Sequence, residues 1–196
     1  MSTTNRYWDL RAAYDWIVWH TPLLSSVSRD EYDSILDLVE QAKPASHEVV
    51  LHIGCGAKAG ALSDVFEGTT IHFDQSLSML KWSRKDEPDG IFVNGDTMHL
   101  PFRDRSISTI IVVGLTEYIP IPRLWLGECA RVLQPGGLIL FTVSQPNWKN
   151  SLRKLWTSTL FIRTDAEWRR YCAWNNLKIE AMVETPLQLQ FRCRKQ

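Results

Sequence analysis

The stretch Glu48-Val49-Val50-Leu51-His52-Ile53-Gly54-Cys55-Gly56-Ala57 decides how this chain is read. An apolar run of strand length ends in two glycines separated by one residue. Such a run, bounded by glycine, is a buried strand that turns sharply into the next element. Glycines at that point let the backbone pass close to a ligand, and a helix that follows offers unpaired N–H groups to an anion. A lone Gly-x-Gly is a weak signal, and a plain strand-to-helix turn explains it equally well.

Working outward, the same pattern recurs. A helix from Leu62 to Phe66 follows the glycines, then Thr69 to Phe73 is a second strand with a helix around Leu77 to Arg84. Gly90 to Val93 is a third strand, and Ser108 to Val113 a fourth, nearly all β-branched as suits a strand covered on both faces. A helix from about Pro122 to Leu133 leads through Gly136-Gly137 into a fifth strand, Leu138 to Val143. Strands alternating with helices imply a mainly parallel sheet with right-handed crossovers. After a helix near Asp165 to Asn175 come two strand-like runs, Leu177 to Glu184 and Leu187 to Cys193, separated only by Thr185-Pro186. That link is too short for a helical crossover, so the two runs form an antiparallel hairpin. The expected architecture is α/β and doubly wound: seven strands, mainly parallel, with a reversed strand in a C-terminal hairpin.

Ahead of the sheet, Tyr7 to His20 reads as an aromatic-rich helix carrying Tyr7, Trp8, Tyr14, Trp16 and Trp19. Ser28-Arg29-Asp30-Glu31 is a capping-box pattern that opens a second helix, which Lys43-Pro44 stops. Residues 1–44 therefore read as an N-terminal helical cap and 45–196 as the sheet domain, one compact domain overall. The 22 basic and 22 acidic residues cancel, so no global field draws the protein to nucleic acid or to an anionic membrane. Cys55, Cys129, Cys172 and Cys193 lack C-x-x-C pairing, and no metal site is expected. Asp9, Arg11 and Asp15 break any apolar leader, and no run reaches the roughly 18 apolar residues of a membrane span. The expectation is a soluble, cytoplasmic protein with reduced thiols.

In such a sheet, ligands bind beyond the carboxyl ends of the strands. Asp74 follows the second strand, twenty positions beyond Gly54. A carboxylate there accepts hydrogen bonds from both hydroxyls of a ribose. The alternative is a helix N-cap, a role for which Ser76 competes. After the third strand comes Asn94-Gly95-Asp96-Thr97-Met98, where a second acid suits a partner such as the exocyclic amine of a purine; the alternative is a Gly-Asp turn. The fold sends the glycines and both acids to one edge of the sheet, so together they weigh more than any one alone.

These stretches resemble the class I S-adenosylmethionine-dependent methyltransferases, in particular the small type related to ubiquinone and menaquinone methyltransferases. The resemblance rests on Val49 to Gly56, Asp74-x-Ser76-x-x-Met79-Leu80, Asn94-Gly95-Asp96, Leu100-Pro101-Phe102 with Ser106, and Arg131-Val132-Leu133-Gln134-Pro135-Gly136-Gly137, over roughly residues 30 to 195. It implies a Rossmann-like fold, S-adenosylmethionine as cofactor, and methyl transfer to an oxygen, nitrogen or carbon of a small apolar or aromatic acceptor. It implies further that Gly54 and Gly56 flank the methionine portion, Asp74 holds the ribose and Met79 packs near the adenine. Asp96 would accept from the adenine amine, with Thr97 and Met98 beside the ring. Gly114 and Leu115 would line the floor beneath the sulfonium. His52, Cys55, Gln75 and Gly95 are counted with them in the cofactor site.

Three positions depart from the family pattern: His52 stands where an acid is usual, Lys58 where a third glycine is usual, and Thr109 where an Asp is common. Lys58 has three readings: it pairs with the methionine carboxylate, it repels the sulfonium or fills the pocket, or it points to solvent. His52 is either a satisfied strand-end histidine or a catalytic one. The departures keep open a methyltransferase-like binding or scaffold protein that has lost catalysis. A nicotinamide-dependent enzyme is the other rival, since Gly54-x-Gly56-x-x-Ala59 with Asp74 also satisfies the dinucleotide fingerprint. That fold calls for neither Asp96 nor the closing hairpin, and the chain leaves no room for a separate substrate domain. Candidate general bases are Glu117 and Tyr118 after the fourth strand, and His20. Candidate covers for an apolar acceptor are Trp8, Tyr14, Trp16 and Trp19, and the span Gln145 to Phe161 with Trp148 and Trp156; for Tyr14 and Trp16 the alternative is core packing. The lack of a large insertion points to a small-molecule acceptor.

Overall fold

The computed structural model describes residues 12, 17, 21–42, 48–62, 66–144, 160–185 and 188–196, with backbone alone over 22–31. The Tyr7–His20 helix with Tyr7, Trp8, Tyr14, Trp16, Trp19 and His20 lies outside those residues except at 12 and 17, as do Lys43-Pro44, 145–159 with Trp148 and Trp156, and Pro186. The elements run α1 (Pro22–Ala42), β1 (Val49–Ile53), β2 (Thr69–Asp74), α2 (Leu77–Ser83), β3 (Ile91–Asn94), β4 (Ile107–Val112), α3 (Pro122–Val132), β5 (Leu133–Ser144), α4 (Asp165–Trp174), β6 (Leu177–Glu184) and β7 (Gln188–Lys195). They build a seven-stranded sheet in the order β3-β2-β1-β4-β5-β7-β6. Strand order reverses after β1, which is the doubly wound arrangement expected from the alternating pattern. The chain divides into two compact units, Met1–Pro101 and Phe102–Gln196.

In the first unit, β1 pairs in parallel with β2 from Val49↔Thr69 to Ile53↔Phe73, and β2 with β3 from Ile71↔Ile91 to Asp74↔Asn94. Apolar runs of this kind stay in the sheet because they bury well: Val50, Leu51 and Ile53 are inaccessible to solvent. α1 covers part of that core with Tyr32, Ile35, Leu38 and Val39, buried at helical spacing. It begins at Pro22 rather than at Ser28. Proline's fixed φ and missing N–H suit the first helical position, so Ser28 to Glu31 sit inside the helix, past its start. Ahead of the expected Leu62–Phe66 helix the chain makes a 3-10 turn, Ala59–Ala61; residues 63–65 lie outside the described set. Ala12, Ala57 and Met79 form a small buried cluster against which Trp82 packs.

In the second unit every residue of β4 is buried, and β4 runs parallel to β5. β7 is antiparallel to both β5 and β6, with Phe141↔Phe191 on one side and Met182↔Phe191 on the other. The reversed strand thus lies between β5 and β6, and β6 forms the edge. β5 begins at Leu133 instead of Leu138. Its pairing with β4 jumps from Ile107↔Leu133 to Thr109↔Leu138, so Gln134 to Gly137 are taken up as a bulge. Fully buried Trp125, Phe141, Trp168 and Phe191 fill the core, with Phe141 stacked on Phe191 at 5.0 Å and Trp125 edge-on to Trp168 at 6.3 Å. Side chains of this size each stabilise the fold by about 1.5–3 kcal/mol on burial. Thr164 and Glu167 form a reciprocal capping box at the start of α4. All four cysteines are free and buried. No described helix is long and apolar enough to cross a membrane, and the described residues hold no His, Cys, Asp or Glu cluster fit for a metal.

Candidate functional site

The site in the first unit starts at the glycine loop. Gly54 and Gly56 have φ of +69° and +57°, a region that L side chains resist, which is why glycine stands at both. Gly54 N donates to Phe73 O at 2.7 Å, so the loop leaves β1 across the end of β2. Ser83 pins it from below: its Oγ donates to Gly56 O at 2.9 Å and accepts from Ala59 N at 3.0 Å. Sequence reading passed over Ser83. The only signal was its position four residues after Met79, which puts both on one face of α2. Met79 itself is buried, its Sδ 4.0 Å from where a Cβ on Gly56 would stand. The Cys55 thiol is buried, and that burial, with Asp74 nearby, pushes its pKa well up.

Asp74 is tied to this loop. Its Oδ2 accepts from Gly56 N at 2.9 Å and its Oδ1 from Ser76 N at 2.8 Å. Ser76, and not Asp74, caps α2 by accepting from Met79 N. With the Gln75 backbone N–H also acting on this carboxylate, three of the about four acceptor directions of an ionised carboxylate are engaged by the protein. The remaining direction, at a partly buried carboxylate on the strand end, suits a ribose hydroxyl, so the residues present fit a nucleoside ribose. Burial raises the Asp74 pKa, opposed by backbone N–H groups of Ser76, Gly56 and Gln75. The Gln75 side chain is exposed.

Asp96 is placed differently. It is exposed, its Oδ1 accepts from Met98 N at 2.9 Å, and His99 Nδ1 lies 3.2 Å from its Oδ2. Gly95 N donates to Asp74 O at 3.2 Å, and Asn94 Nδ2 reaches the same oxygen at 3.0 Å. A Cβ on Gly95 would stand 2.9 Å from the Phe73 ring, so only glycine allows this approach. Thr97 and Met98 are half-buried beside it.

His52 points into the core. Its Nε2 is 3.4 Å from the Tyr32 hydroxyl, and its ring meets that of His72, its register partner, at 5.7 Å. His72 stacks on Phe92 at 5.2 Å and faces Glu87 Oε2 at 2.9 Å. Burial first, then His72 and Lys58, hold the His52 pKa well below the ordinary value, so it is neutral. His52 Nδ1 has no hydrogen-bond partner among the described residues. Lys58 has φ −132°, outside the left-handed region that calls for glycine, so the backbone does not require a third glycine here. Thr109 is wholly buried in β4.

In the second unit, the end of β4 is tied to β5. Gly114 N donates to Thr142 Oγ1 at 2.9 Å, and Thr116 Oγ1 donates to Thr142 O at 2.7 Å. Glu117 is buried and accepts from Ser144 Oγ at 3.3 Å, while its carbonyl accepts from Phe161 N at 2.7 Å. Leu115 and Tyr118 are half-buried. Thr142 and Ser144, which arrange this end, carry no motif that sequence reading could have singled out. His20 lies outside the described residues.

Residues 51–141 match a family model described as a methyltransferase domain. The demethylmenaquinone methyltransferase of Streptomyces griseus is 30% identical over 132 residues, which is 67% of this chain and 51% of that protein. The fatty-acid O-methyltransferase of Mycolicibacterium smegmatis is 34% identical over 104 residues, 50% of this chain and 38% of that protein. The chain spans about half the length of these relatives or less. Among solved structures, a SAM-dependent methyltransferase of Methanosarcina mazei superposes with a TM-score of 0.68 at 16% identity, covering 80% of this chain and 96% of that one. The geranyl diphosphate C-methyltransferase of Streptomyces coelicolor, solved with S-adenosyl-L-homocysteine, gives 0.70 at 13% identity, covering 84% and 76%. Identities at this level carry the fold.

Proposed function

We propose that this chain is a methyltransferase of the class I, S-adenosylmethionine-dependent family, which its match to a methyltransferase domain over residues 51–141 supports, and that it transfers a methyl group to an oxygen, nitrogen or carbon nucleophile of a small apolar or aromatic molecule. The observation that carries this reading is the Asp74 carboxylate, fixed at the strand end by backbone N–H groups of Gly56, Ser76 and Gln75 with an acceptor direction to spare. Two relatives are named for apolar acceptors, demethylmenaquinone and a fatty acid, and that supports the acceptor class.

When bound, S-adenosylmethionine would supply a methyl on its sulfonium, which the acceptor's electron pair would take while the C–S pair stayed with sulfur. The protein's part is to bind, orient and exclude water. Asp74 holds the ribose and Asp96 the adenine amine, with Thr97 and Met98 beside the ring. Gly54 and Gly56 keep the loop free of side chains where the methionine portion passes, and Ser83 keeps the loop in place. Met79 supports the loop from beneath. Lys58, at the turn after the glycines, pairs with the methionine carboxylate. Where the acceptor has a proton to lose, Glu117, Tyr118 and His20 are the groups proposed to take it. Trp8, Tyr14, Trp16 and Trp19 are the groups proposed to cover an apolar or aromatic acceptor, a reading supported by Ala12 of the same stretch packing with Ala57 and Met79. A cytoplasmic location belongs to the same proposal.

The test is transfer of isotope-labelled methyl from S-adenosylmethionine to a panel of quinols, fatty acids and phenols. Labelled product that disappears with Asp74→Ala supports the proposal. Tight cofactor binding with no product from any acceptor would favour a binding or scaffold role instead.

A further inference from the structure

We propose that His99 is a positioning residue for adenine recognition: its imidazole fixes the Asp96 carboxylate in the orientation that accepts the purine amine, so discrimination between adenine and a 6-oxopurine runs through His99. The inference rests on the reading of Asp96 as the adenine acceptor.

Neither side chain is held by the core. The Asp96 side chain is 58% exposed and that of His99 85%. The rotation of a carboxylate about its last bond is broad and nearly two-fold, so one hydrogen bond leaves its plane loosely set. Met98 N fixes Oδ1 at 2.9 Å, and His99 Nδ1 is the second constraint, 3.2 Å from Oδ2. The backbone brings the imidazole there, because His99 N donates to Asp96 O at 2.9 Å and folds the chain back in one tight turn. Nδ1 is the donor in this contact, since the carboxylate only accepts.

The chemical consequence is selectivity. Adenine presents an amine donor at position 6, whereas a 6-oxopurine presents a carbonyl that a carboxylate repels. A carboxylate set by two donors discriminates between these better than one set by a single donor, because a polar site built for a donor leaves the wrong ligand unpaired. An exposed pair of this kind adds little to stability, so its removal leaves the fold intact.

The experiment is calorimetric titration of the full chain, as wild type, His99→Ala and His99→Gln, with S-adenosylhomocysteine and its 6-oxo analogue S-inosylhomocysteine. The wild type should prefer the adenine ligand by about tenfold or more, in line with one well-made polar contact. His99→Ala should weaken S-adenosylhomocysteine about 3–10-fold and leave the analogue nearly unchanged. His99→Gln, whose amide can still donate, should recover much of the preference. Tight S-adenosylhomocysteine binding with the same preference in His99→Ala would overturn the role of His99, as would an equal loss for both ligands. A wild type that binds neither ligand, or binds both alike, would overturn the reading of Asp96 itself and the inference with it.

Discussion

Asp74 ends β2 and Asp96 stands two residues beyond β3, so both acids lie where adjacent parallel strands finish, yet they are held in different ways. Asp74 accepts N–H groups from the glycine loop and from the turn into α2, 18 residues before it and two after. It is partly buried, and burial shifts its pKa upward. Asp96 is exposed, and both its contacts come from the next three residues. One acid is built into the fold and the other into a local turn. The first is preorganised by contacts that exist only when the unit is folded, so its removal affects fold and ligand together. The second is a local device whose removal affects the ligand alone.

The largest expected effect tests the built-in side. Asp74→Ala leaves Gly56 N and Ser76 N without their acceptor and removes the proposed ribose contact. Affinity for S-adenosylhomocysteine should fall about 100-fold or more by calorimetry, and the melting temperature should drop by several degrees. Binding within a few-fold of wild type, at an unchanged melting temperature, would erase the difference between the two acids.

Acid sensitivity comes next, because β1 and β2 also carry His52 and His72, buried and opposite each other. Both have pKa values below the ordinary one, His52 through burial and its neighbours and His72 through burial despite Glu87. The unfolded chain therefore takes up protons near pH 6.5 before the folded chain does. Stability is full above that pH and declines as pH falls below it, by up to about 1.4 kcal/mol per unit for each histidine. Denaturant melts at pH 7.5 and 5.5 should show the decline, and His52→Gln should reduce it. A flat profile would mean that this polar row is not closed to protons.

Asp96→Ala should weaken S-adenosylhomocysteine about 5–20-fold with no change in melting temperature, since only one ligand contact and one exposed turn are lost. A melting temperature that falls as far as in Asp74→Ala would break the comparison from the other side. The smallest effect belongs to Lys58→Ala. Loss of a half-exposed charge near the methionine carboxylate should raise the dissociation constant about 2–5-fold. Unchanged or tighter binding would show that Lys58 points elsewhere.

Much of this was legible in the sequence, for identifiable reasons. β1, β2 and β4 are continuous apolar runs bounded by turn residues, and the link between β6 and β7 is too short for anything but a hairpin. The starts of α1 and β5 were misjudged because local signatures competed with context. Ser28 to Glu31 reads as a cap but lies within a helix begun at Pro22, and Gln134 to Gly137 reads as a turn but is carried in β5 as a bulge. At the candidate site, the sequence left Asp74 and Ser76 as competing caps, and it is Ser76 that takes the cap. Ser83 under the glycine loop, Tyr32 against His52 and Thr142 behind Gly114 were not legible. Each acts through a contact between residues 20 to 28 positions apart, and such contacts follow from strand register and helix placement, which no local pattern encodes.

The central claim is that Asp74 and the glycine loop bind S-adenosylmethionine and not a dinucleotide. Calorimetric titration of the purified chain with S-adenosylmethionine, S-adenosylhomocysteine and NADH tests it most directly. The account predicts saturable binding of the first two, one per chain, and none of NADH; binding of NADH alone, or of no nucleotide at all, would contradict it.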